Sequence, residues 1–234
     1  NKMKQTQKIS AVIMMFLLIG VLLLTSFQVA IYGDSQYRFY EREYKKYQVA
    51  DSLNMTMDNI MDVTDQMMAY LIGNKAELSV ITDVDGEIQD FFNEQDRLHL
   101  ADVRKLFLGG LKLRDYAVIL ATILMIVLRA KKADFRRLVP LGYLQALFVY
   151  LILAAILGVA MSIDFTSCFT LFHKLFFTNN LWIFDPETDY MIRMLPEGFF
   201  SDMVIRVGVI FIVLLAVPGV AAVVYNWKWK KERN

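Results

Sequence analysis

"YAVILATILMIVLRAKKADFRR", residues 116–137, decides the fold, because whether its apolar half crosses a membrane sets the number of crossings in the chain. Tyr116 to Leu128 is uncharged for 13 residues, fewer than the roughly 17 that a spanning helix usually needs. The charges beside it settle the reading. Arg129, Lys131, Lys132, Arg136 and Arg137 follow it, Lys2, Lys4 and Lys8 precede the first apolar run, and Lys228, Lys230, Lys231 and Arg233 end the chain; Asp134 and Glu232 are the acids among them. Basic loops stay cytoplasmic. If all three clusters lie inside, Tyr116–Leu128 must cross, its ends extended by the snorkelling side chains of Lys112, Arg114 and Arg129.

Three other stretches reach spanning length directly: Ile9–Ile31, Leu138–Ile163 opening with Pro140, and Val207–Tyr225, where Pro218–Gly219 predicts a kink. The first is too long for a signal-peptide core and lacks a small-residue cleavage site, so it is read as retained; Asn1 and Lys2 ahead of Met3 read as a remnant of processing. The expected fold is an all-α polytopic membrane protein: four transmembrane helices, both termini inside, and an extracellular, mostly helical cap. In order these are a first span with its cytoplasmic N-terminus (1–32), the cap (33–112), a second span (113–129), a basic cytoplasmic loop (130–137) and a third span (138–163). An aromatic-rich extracellular or interfacial segment (164–202) and a fourth span with a basic tail (203–234) complete the chain.

Composition agrees with the membrane class: 56% of the 234 residues are hydrophobic and mean hydropathy is +0.40. A net charge of +1 and the lack of a GxxxxGK[ST] loop argue against nucleic acid and nucleotides as partners. One cysteine, Cys168, excludes an intrachain disulfide and a thiolate-built metal site. The cap segment holds 15 acids and 9 bases, the balance of a solvated module. Within it Leu53, Ile60, Met61, Thr64, Met67, Met68 and Leu71 recur at helical spacing behind the capping candidates Asp51 and Ser52. "LSVITDVDGEI" (78–88) alternates around Asp85–Gly86 as a hairpin, and "NEQDRLHLADVRKLFLGG" (93–110) predicts a helix capped by Asn93 and closed by Gly109–Gly110.

The chain has two histidines, His99 in that helix and His173 in a segment crowded with Phe165, Phe169, Phe172, Phe176, Phe177, Trp182, Phe184, Tyr190, Phe199 and Phe200. Such density describes either an interfacial aromatic belt or an aromatic-walled lipid pocket. Both histidines follow the chain back to the same membrane face, so they are expected to converge. Asp96 and Asp102 stand three residues to either side of His99, where a carboxylate fixes an imidazole tautomer and raises its basicity; the other reading is a solvated helix with a packed histidine. Asp185, Asp189, Arg193 and Glu197 stand at the edge of the pocket as polar substrate contacts, while "DPETD" (185–189) also reads as an Asp-Pro turn with Thr188 and Asp189 free to cap a helix.

Other chemistries lack their residues. There is no HExxH, "DVDG" (83–86) lacks the rest of a calcium loop, and Ser162, Ser167 and Ser201 sit outside any GxSxG elbow. Cys168 is either an acyl-accepting nucleophile or a small buried residue. No metal and no cofactor is expected.

"FHKLFFTNNLWIFDPETDYMIRMLPEGFF" (172–200), with "RLHLADVRKL" (97–106) upstream and four spans in this order, resembles the lipoprotein intramolecular transacylases of Gram-positive bacteria. The resemblance covers nearly the whole chain and departs at Asn180, where the family more often carries Asp. It implies an acyltransferase of the bacterial cell membrane, multi-pass, with its site at the extracellular face. The sn-2 acyl chain of a diacylglyceryl-modified N-terminal cysteine would pass to that cysteine's own α-amino group. His99 and His173 are the implied catalytic residues, in unassigned acid and base roles. Asp96 and Asp102 support His99, and Phe172, Phe176, Phe177, Asn179, Trp182, Asp185, Asp189, Arg193 and Glu197 meet the substrate. The partners are a diacylated lipoprotein and membrane lipid. The competing reading is a non-enzymatic membrane-anchored binding or sensor protein, which the short cytoplasmic pieces leave without an output domain; a transporter would need ionisable residues in the span cores, which contain none.

Overall fold

The computed structural model describes residues 5–231. The Asn1–Lys2 pair, Lys4, Glu232 and Arg233 of the charge argument lie outside the described residues, as do the side chains of Lys230 and Lys231. The elements in order are α1 (Gln5–Tyr32), α2 (Arg38–Lys46), α3 (Val49–Leu53), α4 (Met57–Leu71), β1 (Ile81–Val84), β2 (Glu87–Asp90), α5 (Glu94–Ala130), α6 (Phe135–Ile163), α7 (Phe165–Phe176), α8 (Tyr190–Met194) and α9 (Glu197–Lys231). They divide into two compact units: one from the segments up to Val29, Leu111–Ile163 and Val207 onward, the other from Ala30–Gly110 and Asp164–Arg206.

The first unit is an apolar helical bundle. A helix satisfies its own backbone, the requirement for any segment in hydrocarbon, and three helices, α1, α6 and α9, are long and apolar enough to cross a membrane. At about 1.5 Å per residue the 28 residues of α1 run about 42 Å. Met14, Met15, Ile19, Tyr143, Phe211 and Leu215 fill the core, and Ala121 and Leu128 bring the short apolar run of α5 into it as a fourth helix. Polar tips fasten the helices: Tyr143 donates to the Leu215 carbonyl at 3.0 Å and Tyr150 to that of Phe16 at 3.1 Å. Pro140 does not open α6. That helix begins at Phe135, with the Asp134 carbonyl accepting from the Arg137 and Leu138 amides, so the proline sits inside the second turn.

The second unit holds the solvated part of the sequence. Its aromatic core stacks Tyr44 on Phe199, centroids 6.0 Å apart, with Phe39 and Tyr40 edge-on around them. The helix expected behind Asp51 and Ser52 starts later. Asn54 adopts φ 47°, which ends α3, and Thr56 caps α4 by accepting the Asn59 amide at 3.2 Å. The hairpin turns at Asp85–Gly86 with φ of 58° and 85°, the two positive values a type I′ turn needs, and Val84 pairs with Glu87. Gly109–Gly110 do not close α5, which runs on to Ala130. Glycine stops a helix when it turns left-handed, and among the described residues the positive-φ glycines are Gly73 and Gly86.

Candidate active site

Both histidines belong to the second unit. Asn93 and Asp96 form a reciprocal box at the start of α5: Asn93 Oδ1 accepts the Asp96 amide at 2.9 Å, and Asp96 Oδ2 accepts the Asn93 amide at 3.0 Å. His99 follows in the second turn. Helix α7 is capped by Asp164, which accepts the Ser167 amide at 2.9 Å, and carries His173 in its third turn. The structure brings the two imidazoles together as stacked rings, centroids 6.1 Å apart and planes 26° apart.

Aromatic side chains enclose the pair. Phe177 lies 5.2 Å from His99 and 5.6 Å from His173, Phe184 5.4 Å from His99, Trp182 5.0 Å from His173 and Phe169 4.4 Å from His173. His99 is 7% exposed and His173 8%. Burial penalises a cation, so it pulls His99 down to about 4; the neighbouring His173 adds to the fall and the Asp102 charge opposes it. Burial also lowers His173, against a hydrogen bond to the Phe169 carbonyl that raises it. Both rings are therefore neutral at pH 7.

The nitrogens differ in their partners. His173 Nδ1 lies 2.8 Å from the carbonyl oxygen of Phe169. A carbonyl only accepts, so Nδ1 carries the hydrogen and Nε2 presents a lone pair. His99 Nδ1 is buried without a partner. That corrects the expectation that Asp96 or Asp102 fixes the His99 tautomer there. Asp96 Oδ2 is taken by Asn93, and its Oδ1 is buried and unpartnered; Asp102 accepts from Asn179 at 2.9 Å and Lys105 at 2.8 Å. Sharing a helix face with His99 did not aim either carboxylate at it.

Of the other candidates, Phe177 and Trp182 wall the chamber, while Phe172 lies 5.5 Å from His173 and tilts against Phe176, both rings exposed. Asp185 is exposed and closes a turn onto the amides of Glu187, Thr188 and Asp189. Asp189 is buried and makes no side-chain cap for α8; it accepts from Asn93 and from the Asp185 amide instead. Arg193 lies over the Tyr190 ring, and Glu197 accepts from Thr166 at 2.6 Å. Asn180 is exposed, its carbonyl accepting the Ile183 amide. Phe169 and Phe184, named in the aromatic cluster but not among the substrate contacts, are walls, and sequence reasoning missed Gln95, whose Nε2 donates to the Leu181 and Ile183 carbonyls at 3.1 and 2.9 Å. Phe169 stands four residues before His173, a helical neighbour that the sequence offers. A groove of about 580 Å³ runs beside the chamber, lined by Asn93, Gln95, Leu98, Leu181, Ile183 and Asp189 among others. Among the described residues no group of three His, Cys, Asp or Glu could hold a metal ion.

The model of the family "Lipoprotein intramolecular transacylase Lit" matches residues 12–200. The chain belongs to the Lit family. Its fold is also that of a solved relative: the in meso structure of the membrane integral lipoprotein intramolecular transacylase Lit from Bacillus cereus is similar with a TM-score of 0.73 at 24% identity, over 97% of this chain and 98% of that one. Two variants of the same protein are similar too. One has a histidine replaced by arginine (TM-score 0.67, 23% identity, 97% and 94% covered), the other a histidine replaced by alanine (0.69, 23%, 97% and 96%). No curated protein matches. Membership makes this chain an enzyme, a transacylase, which sets aside the reading as a binding or sensor protein; with its apolar helices it is a multi-pass membrane protein.

Proposed function

We propose that this Lit-family enzyme moves the sn-2 acyl chain of a diacylglyceryl-cysteine lipoprotein to the cysteine's own α-amino group, using the two histidines and no cofactor. The observation that carries this reading is the stacked pair of imidazoles, 6.1 Å apart, inside a wall of aromatic rings. Amine nitrogen, Cα, Cβ, sulfur, two glyceryl carbons, ester oxygen and carbonyl carbon close a ring of about eight atoms, so the main task is to hold one substrate folded. The free Nε2 lone pair of His173 makes it the base. It takes a proton as the α-amine attacks the ester carbonyl; the same proton passes to the glyceryl oxygen when the C–O bond breaks, leaving an amide and an alcohol. His99, neutral with one N–H, donates to the oxyanion between these events. An α-ammonium has a pKa near 8 in water, but burial lowers it as it lowers an imidazole, so the proton transfer stays modest in cost.

Phe172 and Phe176, exposed beside His173, offer apolar surface to the acyl chains, and Asp185 with Arg193 offers polar contacts to the peptide; Asp189 and Glu197 are already held by protein partners. The positive-inside argument adds a fourth crossing by the apolar run of α5 and places 33–112 and 164–202, which carry both histidines, on the extracellular side. The test replaces each histidine by asparagine in cells that depend on this chain for lyso-form lipoproteins and reads the lipopeptides by mass spectrometry. Loss of N-acylation in both variants is expected. Unchanged product from either removes that histidine from the reaction.

A further inference from the structure

The segment Phe177–Phe184 supplies three walls of the histidine chamber, Phe177, Trp182 and Phe184, and has neither helix nor strand across it. Its backbone polar groups must therefore find partners elsewhere. Two of its carbonyls find them on α5. Gln95 Nε2 donates to the carbonyls of Leu181 and Ile183, at 3.1 and 2.9 Å. Asp102 Oδ2 accepts from Asn179 Nδ2 at 2.9 Å, and Asn179 organises the turn itself, its Oδ1 accepting the Leu181 amide at 3.1 Å and its carbonyl accepting the Trp182 indole N–H at 2.9 Å. Gln95 stands four residues before His99 and Asp102 three after, so both share the face that bears His99.

We infer that Gln95 and Asp102 are positioning residues that grip the Phe177–Phe184 segment at two points and hold its rings against the imidazoles. Asn179 is the hub of that grip, which gives it a task other than substrate contact. The inference builds on the proposed function, since the rings matter to transfer only if the histidines act. Its geometry stands without that reading. Fixed rings keep water from both imidazoles and keep the His173 lone pair aimed at one spot; a loosened segment admits water and broadens the aim.

The experiment uses the purified full-length enzyme with a synthetic diacylated lipopeptide, and imidazole NMR of the two histidines recorded without substrate. Gln95→Leu removes the donor at constant charge and similar size. Asp102→Ala removes the acceptor, and Asp102→Asn keeps one. Gln95→Leu is expected to lower kcat at least tenfold with KM within threefold, and to move both imidazole titrations upward toward 6.5. For Asp102→Ala the readout is His173, because losing the Asp102 charge itself pulls His99 the other way. Asp102→Asn is expected to recover most of the kcat lost in Asp102→Ala. Wild-type titration of His173 in Gln95→Leu and Asp102→Ala would overturn the inference, whatever their activity. If one of these variants fails to fold, the other end of the grip decides alone. Because the titrations need no turnover, they separate failure of the grip from failure of the histidine chemistry.

Discussion

Asp96 and Asp189, both buried, are joined through Asn93, whose amide donates to Asp96 and whose side-chain Nδ2 donates to Asp189. Burial pushes Asp96 up to about 6, the Asn93 hydrogen bond holds it back, and the Asp189 charge raises it further. A carboxyl raised on folding contributes stability that is whole below about 4 and lost as pH climbs through about 6. Asp96→Asn keeps an acceptor for Asn93 without the charge. It is therefore expected to exceed the wild type in Tm by a few degrees at pH 7.5 and to lose that advantage by pH 4. His99, lowered on folding, destabilises the wild type on acidification over the same range, so the difference between the two curves is the measurement. A variant less stable than the wild type at pH 7.5 would refute it.

Neutral imidazoles also fix the shape of the pH-rate profile. With His99 near 4 and His173 below its ordinary 6.5, neither enzyme base titrates between pH 6.5 and 8. In that window the substrate amine, near 8 when free, sets the response. A plot of log kcat/KM against pH is expected to rise with unit slope and level off near 8. A separate inflection near 7 in the wild-type profile, absent from the titration of the free substrate amine, would show that an enzyme group titrates at neutral pH and would overturn this reading.

How much of this was written in the sequence varies with the kind of contact. The Asp85–Gly86 turn and the Asn93 cap are local, and local rules found them. The pairing of His99 with His173 was expected from the positive-inside reading, which puts their two segments on one membrane face, and the rings do meet. Gln95 was invisible: its partners are carbonyls of Leu181 and Ile183, and a side chain bonded to a distant backbone leaves no pattern of residue types. Asp102 was visible, and its charge does raise His99, but spacing places a carboxylate beside a histidine without saying which way it points, and its hydrogen bonds go to Asn179 and Lys105. Gly109–Gly110 misled because glycine permits a left-handed stop and does not impose one.

Those glycines yield a graded stability prediction. A Cβ on Gly109 or Gly110 would meet nothing within 4 Å, and both are helical, so alanine at either is expected to stabilise by about 0.5–1 kcal/mol. A Cβ on Gly142 would lie 3.0 Å from the Ala11 carbonyl oxygen and 3.1 Å from its carbon, backbone atoms that cannot rotate away. Gly142→Ala is expected to cost about 1–3 kcal/mol through separation of α1 from α6. Thermal unfolding in one detergent compares the three, and an unchanged Tm in Gly142→Ala would mean that the two helices are not held at this spacing.

Cys168 offers the sharpest check on direct transfer. It is a free, half-buried thiol on α7, five positions before His173. At about 100° per residue those five positions turn it roughly 140° away from the imidazole, so the helix presents the two to different sides. An acyl-thioester route would need the thiolate beside the base. Cys168→Ser is therefore expected to retain kcat within about twofold, and acid-quenched enzyme caught during turnover should carry no acyl group labile to neutral hydroxylamine. A stoichiometric thioester on Cys168, or loss of activity with a wild-type Tm in the serine variant, would replace one-step transfer with a two-step relay through the enzyme.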